Sequence, residues 1–246
     1  MTPFEREVQA RITSNSEDQK LKTIAMNFMR PSITSQYSYN FFWLGRPVIQ
    51  YPQDIMAMQE IIWSVKPDLI IETGIAHGGS LIFSAAMLEL NAICGGPQAA
   101  EVLGVDIDIR AHNREAIEAH PMFKRISMLE GSSISSEIFE QIKIKASLKQ
   151  SILVCLDSNH THDHVLAELE VYAPLTTVNS YCVVFDTIIE DMPTGSFPDR
   201  PWDKGNNPKT AVWEYLKNHP EFEIDQNIQH KLLITAAPDG YLKRVR

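Results

Sequence analysis

The chain has 246 residues, of which 44% are hydrophobic and 22% are charged, a composition typical of a soluble globular protein with one large domain or two small ones. Its formal net charge of −9 at pH 7 argues against a surface built to bind nucleic acid or an anionic membrane. The sequence contains neither an apolar run of membrane-spanning length nor an N-terminal apolar signal core. We therefore expect a cytoplasmic protein with no nucleic-acid partner and no membrane span.

The N-terminal part of the chain differs in pattern from the rest. Residues 1–30 are mostly polar and predict helix, whereas residues 37–53 are rich in aromatic residues and proline and predict a loop. Apolar residues at helical spacing begin at Asp54. We therefore divide the chain into an N-terminal helical and aromatic extension, residues 1–53, and a main domain, residues 54–246.

The main domain alternates apolar runs with amphipathic segments from Pro67 onward. The predicted strands are residues 69–73, 102–107, 125–131, 151–157 and 180–187, followed by terminal strands at 222–225, 232–238 and 240–245. The predicted helices are residues 80–93, 111–120, 136–148, 163–175 and 210–219. Near-continuous apolar strands alternating with helices indicate an α/β fold, in which a mostly parallel sheet carries helices on both faces.

Acidic residues and glycines recur where the predicted strands end. They are Glu72 with Gly74, then Asp106, Gly131, Asp157 and Asp186. Parallel sheets bind their ligands beyond the carboxyl ends of the strands. The alignment therefore predicts one ligand site at that edge of the sheet.

The first of these strand ends, E-T-G-I-A-H-G-G-S at residues 72–80, combines a carboxylate with three glycines. Gly74 permits a tight turn, and Gly78 and Gly79 allow a ligand to approach the backbone. The next helix begins near Ser80, so its free N–H groups point at the site. The dinucleotide motif G-x-G-x-x-G is absent, and Glu72 would repel a pyrophosphate, so a cationic group such as an amino acid ammonium fits better.

The second strand end supplies Asp106, which is placed to accept hydrogen bonds from two ribose hydroxyls. A ligand with an ammonium group and a ribose but no phosphate is S-adenosylmethionine. The alternative is that Glu72 caps the following helix and that Asp106 merely ends a strand. The occurrence of Glu72 and Asp106 at two successive strand ends favours the nucleoside ligand.

A second cluster follows the fourth strand, in L-D-S-N-H-T-H-D-H at residues 156–164. Asp157 and Asp186 end adjacent strands, so their carboxylates can converge on Mg²⁺, which prefers oxygen ligands. The three histidines of this segment are poorly spaced for zinc. His160 can accept a hydroxyl proton near neutral pH. The alternatives are that the aspartates cap loops and that His160 is a loop residue bonded to its neighbours.

The chain resembles class I S-adenosylmethionine-dependent methyltransferases, and more closely the cephalosporin hydroxylase/rhamnosyl O-methyltransferase family. The runs that carry the resemblance are WLGRPVIQYPQD, KPDLIIETGIAHGGS, GVDIDIRAHNREAI, LDSNHTHDHVLAEL, DKGNNPKTAVWEYL and HKLLITAAPDGYLKR, all between residues 40 and 246. The resemblance implies a Rossmann-like fold with a seven-stranded, mostly parallel sheet whose last strand is antiparallel. It also implies a Mg²⁺-assisted O-methyltransferase that acts on a hydroxyl of a sugar or small natural product, and a homo-oligomer.

Carried over residue by residue, the resemblance implies roles for most strand-end residues. The methionine part of the cofactor would be held by Glu72, Gly74, His77, Gly78, Gly79 and Ser80. Asp106 would hold the ribose, Gly131 with Ser132 or Ser133 would flank the adenine, and Asp157 would also face the cofactor.

For the metal, the resemblance implies Asp157, Asp186 and Thr187. Thr187 stands where catechol O-methyltransferase has an amide, and Phe185 stands where closer relatives often have an acidic residue. His160 matches the offset of the lysine base in the catechol enzyme, so His160 and Asp157 are the predicted catalytic residues.

Two other functions remain open on the same fold. One is an oxidoreductase or hydroxylation component, against which Glu72 and the missing dinucleotide motif argue. The other is a cofactor-binding scaffold without catalysis, which the loss of an acidic residue at Phe185 would allow. The aromatic segment 37–43 and the proline-rich loop 191–208 are candidates for substrate walls and a lid, although the aromatic segment could equally be core or a subunit contact.

Overall fold

The structure, a computed structural model, describes all 246 residues. Helix α1 (Pro3–Glu17) begins at a capping box in which Thr2 and Glu5 each accept a hydrogen bond from the other's backbone N–H. Helix α2 (Gln19–Thr34) follows after Asp18, whose side chain accepts from the backbone N–H of Leu21. The helical prediction for residues 1–30 is confirmed.

Residues 37–53, predicted as a loop, contain regular structure. A 3-10 helix (Tyr37–Asn40) leads into a hairpin of β1 (Phe41–Trp43) and β2 (Arg46–Val48). The two turn residues, Leu44 and Gly45, both have positive φ, as the tight turns of two-residue hairpins require. Strands of three residues are too short to show an alternating pattern, which is why the sequence did not reveal them.

The main domain begins at α3 (Pro52–Val65). Its remaining elements, in chain order, are β3 (Leu69–Thr73), α4 (Gly79–Ile93), β4 (Glu101–Asp106), α5 (Ala111–Glu118), β5 (Ile126–Glu130), α6 (Ser136–Ala146), β6 (Ile152–Leu156), α7 (His162–Tyr172), β7 (Tyr181–Val184), α8 (Pro208–Tyr215), β8 (Phe222–Ile224), α9 (Gln226–Leu232) and β9 (Tyr241–Arg244). No helix combines the length and the apolarity needed to cross a membrane.

Seven strands form one sheet in the order β5-β4-β3-β6-β7-β9-β8. Strands β3 to β7 pair in parallel, and β9 pairs antiparallel with both β7 and β8. The order reverses at β3, which lies between β4 and β6, and this switch point is where such sheets bind ligands. The predicted class I methyltransferase architecture, with its last strand antiparallel, is confirmed.

Side chains of the central strands alternate between two apolar cores. Leu69 and Ile71 of β3 pack in the core beneath α6, α7 and α8, whereas Ile70 packs in the core beneath α3 and α4. Glu72 therefore projects to the α3/α4 face. Cys155 pairs in register with Glu72, and Asp157, two residues later, follows on the same face.

The prediction of a strand over residues 232–238 is wrong. Helix α9 ends at Leu232, and Leu233 has a φ of 61°, which turns the chain out of the helix. Residues 235–237 are buried, but the polar groups of this segment bond to the first turn of α3 and to the loop after β7, and not to a neighbouring strand. The hydroxyl of Thr235 and the backbone N–H of Ala236 both donate to the carboxylate of Asp54.

Asp54 ties the first turn of α3 to the C-terminal segment. Its fully buried carboxylate also accepts the hydroxyl of Tyr241, at 2.8 Å. Burial raises the pKa of Asp54 to about 6, against the lowering effect of the three donors. The same segment supports the loop after β7, because Ile188 N–H donates to the carbonyl of Ala236.

The N-terminal extension is in contact with the main domain. A β-carbon added at Gly79 would lie 2.0 Å from the carbonyl oxygen of Pro47, so the hairpin rests directly on the start of α4. The proposed boundary between residues 53 and 54 thus falls between segments that touch, and the two-part division stays a prediction.

Removal of the Asp54 carboxylate tests its role in tying α3 to the C-terminal segment. Asp54→Ala leaves three buried donors without an acceptor, so we expect the free energy of unfolding to fall by about 2–4 kcal/mol in urea denaturation. Asp54→Asn should cost less, because its amide oxygen still accepts. Asp199→Ala, an exposed aspartate, is the control. Equal midpoints for Asp54→Ala and the control would contradict the assignment.

Candidate active site

The loop between β3 and α4 is shaped by close backbone contacts. Gly74 has a φ of 90°, and a β-carbon there would lie 2.0 Å from the carbonyl oxygen of Asp157. Its N–H donates to the carbonyl of Val105 at 2.8 Å. Gly78, with a φ of 79°, precedes the first residue of α4. The glycines therefore bring this loop against the strand ends on both sides of β3.

Glu72 lies at the base of this loop with 4% of its surface exposed. Its carboxylate accepts the hydroxyl of Ser80, and Ser84 is a second hydroxyl partner. Burial raises the pKa of Glu72 to about 7, since no cation lies beside it and the two hydroxyls offset only part of the cost. A cationic ligand in contact with Glu72 would favour its charged form.

Asp157, His160 and Asp186 form a cluster at the ends of β6 and β7. Their ligand atoms all lie within 4.8 Å of one another. Nε2 of His160 is 3.1 Å from Oδ2 of Asp186, and the amide of Gln50 donates to Oδ2 of Asp157 at 3.4 Å. The sequence prediction that the two aspartates converge is thus seen in the geometry, with His160 beside them.

The environment of Asp157 opposes its negative charge. Its side chain borders the cleft and is otherwise surrounded by protein, so burial raises its pKa well above the usual range. Repulsion from Asp186 and from Glu72 raises the pKa further, and the amide of Gln50 lowers it. Three carboxylates therefore face one region that contains no lysine or arginine partner for Asp157.

A cleft of about 220 Å³ joins the glycine loop to this cluster. Of the residues predicted from the sequence, those that line it are Gly74, His77, Gly79, Ser80, Asp157, His160 and Asp186. Glu72 lines a smaller cavity of about 20 Å³, together with Ser80 and Asp157. The other site residues predicted from the sequence line neither the cleft nor the smaller cavity.

Tyr39, from the aromatic segment predicted as a candidate substrate wall, lines this cleft, whereas sequence reasoning missed the contribution of residues 47–50. Tyr39, Pro47, Ile49 and Gln50 line it opposite the strand ends. Gln50 and its neighbours lie in a run that carries the family resemblance, but no chemical motif marks them. Arg46 secures the segment, since its guanidinium donates to the carbonyl of His77 at 2.6 and 3.0 Å.

Asp106, the predicted ribose ligand, bonds to the glycine loop. Oδ2 accepts the backbone N–H groups of Ile75 and Ala76, at 2.8 and 3.2 Å. Oδ1 accepts only the N–H of Asp108, at 3.2 Å, and so retains capacity for a further donor. The structure thus gives Asp106 a role in positioning the loop, and its contact with ribose stays a prediction.

The predicted adenine residues follow β5. Gly131 N–H donates to the carbonyl of Asp106 at 2.8 Å, so this loop lies beside the end of β4. Ser133 is buried, with its hydroxyl 3.2 Å from Nε2 of His164 and its carbonyl bonded to the hydroxyl of Tyr172. Ser132, Ser133 and Gly131 are therefore near the second strand end, as an adenine contact would require.

The remaining predicted residues are turned away from the cleft. Thr187 is fully buried, and its hydroxyl donates to the carbonyl of Pro238 at 2.6 Å. Phe185 packs in the core on the α3/α4 face, below Asp157. His162 bonds to the hydroxyl of Thr210 and lies 3.3 Å from Glu214. Among the three histidines of the segment, His160 alone lines the cleft.

The raised pKa of Glu72 gives a testable dependence of stability on pH. A carboxyl whose pKa rises from 4.5 to about 7 on folding makes the protein progressively less stable as the pH increases through that interval. Glu72→Gln removes this contribution, so we expect it to exceed the wild type in stability by about 2–3 kcal/mol at pH 8 and not at pH 4.

Urea denaturation at both pH values measures this difference. Asp157 remains in both proteins, and loss of the Glu72 charge also relieves the repulsion that raises the pKa of Asp157, which adds to the gain at pH 8. The control is Glu115→Gln, an exposed glutamate on α5, which should leave the stability unchanged at either pH. A Glu72→Gln protein with the wild-type pH profile would show that Glu72 is not held in a protonated state by burial.

Comparisons with known proteins agree with this geometry. A family model described as rhamnosyl O-methyltransferase/CmcI matches residues 35–245. The rhamnosyl O-methyltransferase of Mycobacterium leprae is 31% identical over 204 residues, which are 82% of this chain and 82% of that protein. The one from Mycobacterium bovis (strain BCG) is 31% identical over 196 residues, 78% of this chain and 73% of its own length.

Solved structures show the same fold at lower identity. A structure of CmcI with Mg and S-adenosylmethionine has a TM-score of 0.56 and 18% identity, covering 85% of this chain and 78% of that one. A TDP-rhamnose 3'-O-methyltransferase of calicheamicin biosynthesis has a TM-score of 0.51 and 17% identity, covering 99% and 95%. With the family model covering most of its length, the chain belongs to the rhamnosyl O-methyltransferase/CmcI family.

Proposed function

We propose that the protein transfers a methyl group from S-adenosylmethionine to a hydroxyl of a sugar or sugar-bearing small molecule. The observation that carries this proposal is that one cleft joins the glycine loop above Glu72 to the cluster of Asp157, His160 and Asp186. Membership of the rhamnosyl O-methyltransferase/CmcI family supports it, as do the names of the relatives.

The glycine loop suits the methionine part of the cofactor. Glu72 offers a carboxylate, Gly74 and Gly79 present bare backbone to the cleft, and Ser80 adds a hydroxyl. Cationic groups of the cofactor near Glu72 would offset the cost of burying its charge. Oδ1 of Asp106 is the candidate acceptor for ribose, and Gly131 with Ser132 or Ser133 for the adenine edge.

The cluster of Asp157, His160 and Asp186 fits a divalent cation. Two carboxylates and one imidazole converge, and the repulsion around Asp157 is what a bound cation would relieve. Mg²⁺ bound there would polarise the acceptor hydroxyl and lower its pKa. Thr187 is a weaker candidate for a ligand than the sequence implied, because its hydroxyl already bonds to Pro238.

The chain's own groups then perform the remaining steps. The methyl transfer is a direct displacement at the methyl carbon, with sulfur as the leaving group, so the cleft must align the acceptor oxygen with the methyl group and exclude water. His160, whose ring lines the cleft, accepts the hydroxyl proton through the ring nitrogen that carries no hydrogen, and Asp186, whose Oδ2 lies 3.1 Å from Nε2, stabilises the resulting imidazolium. Asp157 orients the acceptor hydroxyl from the other side.

Further expectations belong to this proposal. We expect a cytoplasmic homo-oligomer that acts on a small molecule and binds no nucleic acid. The net charge of −9 supports the last point. The oxidoreductase and scaffold alternatives lack a specific observation in their favour, since Glu72 opposes a pyrophosphate and the cluster of Asp157, His160 and Asp186 is complete despite Phe185.

Two measurements test the function. Isothermal titration should show binding of S-adenosylmethionine and none of NAD. Incubation with S-adenosylmethionine and a panel of sugars, glycosides and nucleotide sugars should then yield a product one methyl group heavier, detected by mass spectrometry together with S-adenosylhomocysteine. Binding of NAD in place of S-adenosylmethionine would favour the oxidoreductase, and cofactor binding without any transfer would favour the scaffold.

The ion site gives a prediction that does not depend on turnover. Asp157→Asn and Asp186→Asn should each reduce the affinity for Mn²⁺ or Mg²⁺ by at least about tenfold in isothermal titration without cofactor, because each removes a charged ligand. Wild-type affinity should rise with pH, since the cation competes with the proton that the raised pKa keeps on Asp157. Asp199→Asn is the matched control, and unchanged affinity in both cluster variants would remove the ion site.

The role of His160 gives a second prediction. His160→Gln should slow single-turnover methyl transfer by about 10²–10⁴-fold with unchanged affinity for S-adenosylmethionine. His162→Gln is the control, because its ring bonds to Thr210 outside the cleft. If His160→Gln lost ion affinity together with the rate, His160 would be a metal ligand and the base would lie elsewhere.

A further inference from the structure

The proline-rich loop between β7 and α8 is fixed at several points. The carboxylate of Glu190 accepts the N–H of Gly205 at 2.7 Å and the side-chain amide of Asn207 at 2.6 Å. Oδ1 of Asn206 accepts the N–H of His162, the first residue of α7, at 2.9 Å. The loop therefore has a defined position beside the segment that carries His160.

This arrangement places Trp202 against the candidate base. The rings of Trp202 and His160 lie edge to face, with centroids 4.7 Å apart and planes at 82°. Trp202 is half-buried, and its indole N–H has no hydrogen-bond partner in the protein. A half-buried indole with a free donor, next to a histidine that lines the cleft, is a surface suited to a ligand ring.

Arg200 extends this surface with an uncompensated positive charge. Its guanidinium lies over the Trp202 ring, 5.2 Å from the centroid, so at most about 10 Å separates it from the His160 ring. Lys209 nearby is paired with Asp191 at 2.6 Å, whereas Arg200 is exposed and no carboxylate, including that of Asp199, lies within 4 Å of it. In a chain of net charge −9, an arginine without an acidic partner, next to a tryptophan that contacts the candidate base, indicates an anionic ligand group.

We propose that Trp202 and Arg200 form the acceptor wall and select a sugar that carries a phosphate, such as a nucleoside diphosphate sugar, over a neutral glycoside. This inference rests on the proposed function. The sugar ring packs on Trp202 with one hydroxyl at His160, and the phosphate on the anomeric carbon extends to Arg200, whose planar fork of donors matches phosphate oxygens.

Each bond that forms in the methyl transfer is matched by a bond that breaks. The acceptor oxygen forms a bond to the methyl carbon while the carbon–sulfur bond breaks and its electron pair returns to sulfur. The hydroxyl proton passes to His160, and the products are the methyl ether and S-adenosylhomocysteine. The phosphate takes no part in the chemistry, so Arg200 affects how the acceptor binds and not the step itself.

Steady-state kinetics with three acceptors test the proposal: TDP-rhamnose, rhamnose 1-phosphate and methyl rhamnoside. We expect wild type to prefer the two phosphorylated sugars. Arg200→Gln should raise KM for both by about 10- to 100-fold, the worth of a charge-assisted hydrogen bond, and leave KM for methyl rhamnoside unchanged. Trp202→Ala should raise KM for all three, and Trp202→Phe should restore most of the loss.

Two matched controls separate these effects from loss of structure. Trp213→Ala removes another partly exposed indole that also lies beside a lysine, and Lys217→Gln removes an exposed positive charge just after the end of α8. Neither should change any KM. The affinity of each variant for S-adenosylmethionine, measured by titration, should equal that of the wild type.

The outcomes distinguish this inference from the proposed function. Equal kcat/KM for TDP-rhamnose and methyl rhamnoside, or an Arg200→Gln protein with wild-type KM for the phosphorylated sugars, overturns the selection of phosphate. A wild type that binds S-adenosylmethionine and methylates another acceptor class, but none of these three, also overturns it and leaves the methyltransferase intact. Failure to bind S-adenosylmethionine contradicts the proposed function itself.

Discussion

The carboxylate of Asp157, placed beside those of Glu72 and Asp186, is the constraint on which the site depends. Strands β3 and β6 run in parallel register, so Glu72 and Asp157 project from the same face of the two central strands. Burial raises the pKa of both groups, and repulsion from Asp186 and Glu72 raises the pKa of Asp157 further. Such an arrangement is costly unless positive charge enters the cleft, and a sulfonium cofactor and a divalent cation are the two kinds of charge that fit its two ends.

Segments far apart in the sequence maintain this costly arrangement. Asp54 anchors the C-terminal segment, which in turn bonds to Thr187 and Ile188 and thereby positions the loop that carries Asp186. The segment that follows the N-terminal hairpin contributes Gln50, whose amide donates to Asp157. The free energy that offsets the repulsion therefore comes from the packing of both chain ends around the sheet, and not from the cluster itself.

The strand ends were predictable because a parallel sheet buried on both faces leaves a plain signal, a continuous apolar run that stops at a polar residue. Asp106 shows where that reasoning stops, since a carboxylate that accepts two loop N–H groups has the same sequence signature as one that binds ribose. The segment 232–238 looked like a strand because it is apolar and buried, yet its polar groups bond to Asp54. The sequence predicts segments 37–43 and 191–208 as candidate substrate walls and a lid, but which of their side chains lie near the cleft, such as Tyr39 and Trp202, is set by tertiary contacts that no local pattern encodes.

Phe185 shows how the cluster can lose a carboxylate and remain suited to a cation. Its ring belongs to the apolar core below Asp157, with 5% of its surface exposed. A carboxylate at this position would be a fourth negative group in the same region. It would increase the electrostatic repulsion among the carboxylates whenever no cation is bound. His160 supplies the third ligand atom within 4.8 Å of the two aspartates without adding negative charge. A neutral imidazole has one nitrogen with a free lone pair, so His160 cannot bind a cation and accept the hydroxyl proton at once, and the position of the ion relative to the Asp157–Asp186 pair decides which of the two tasks it performs.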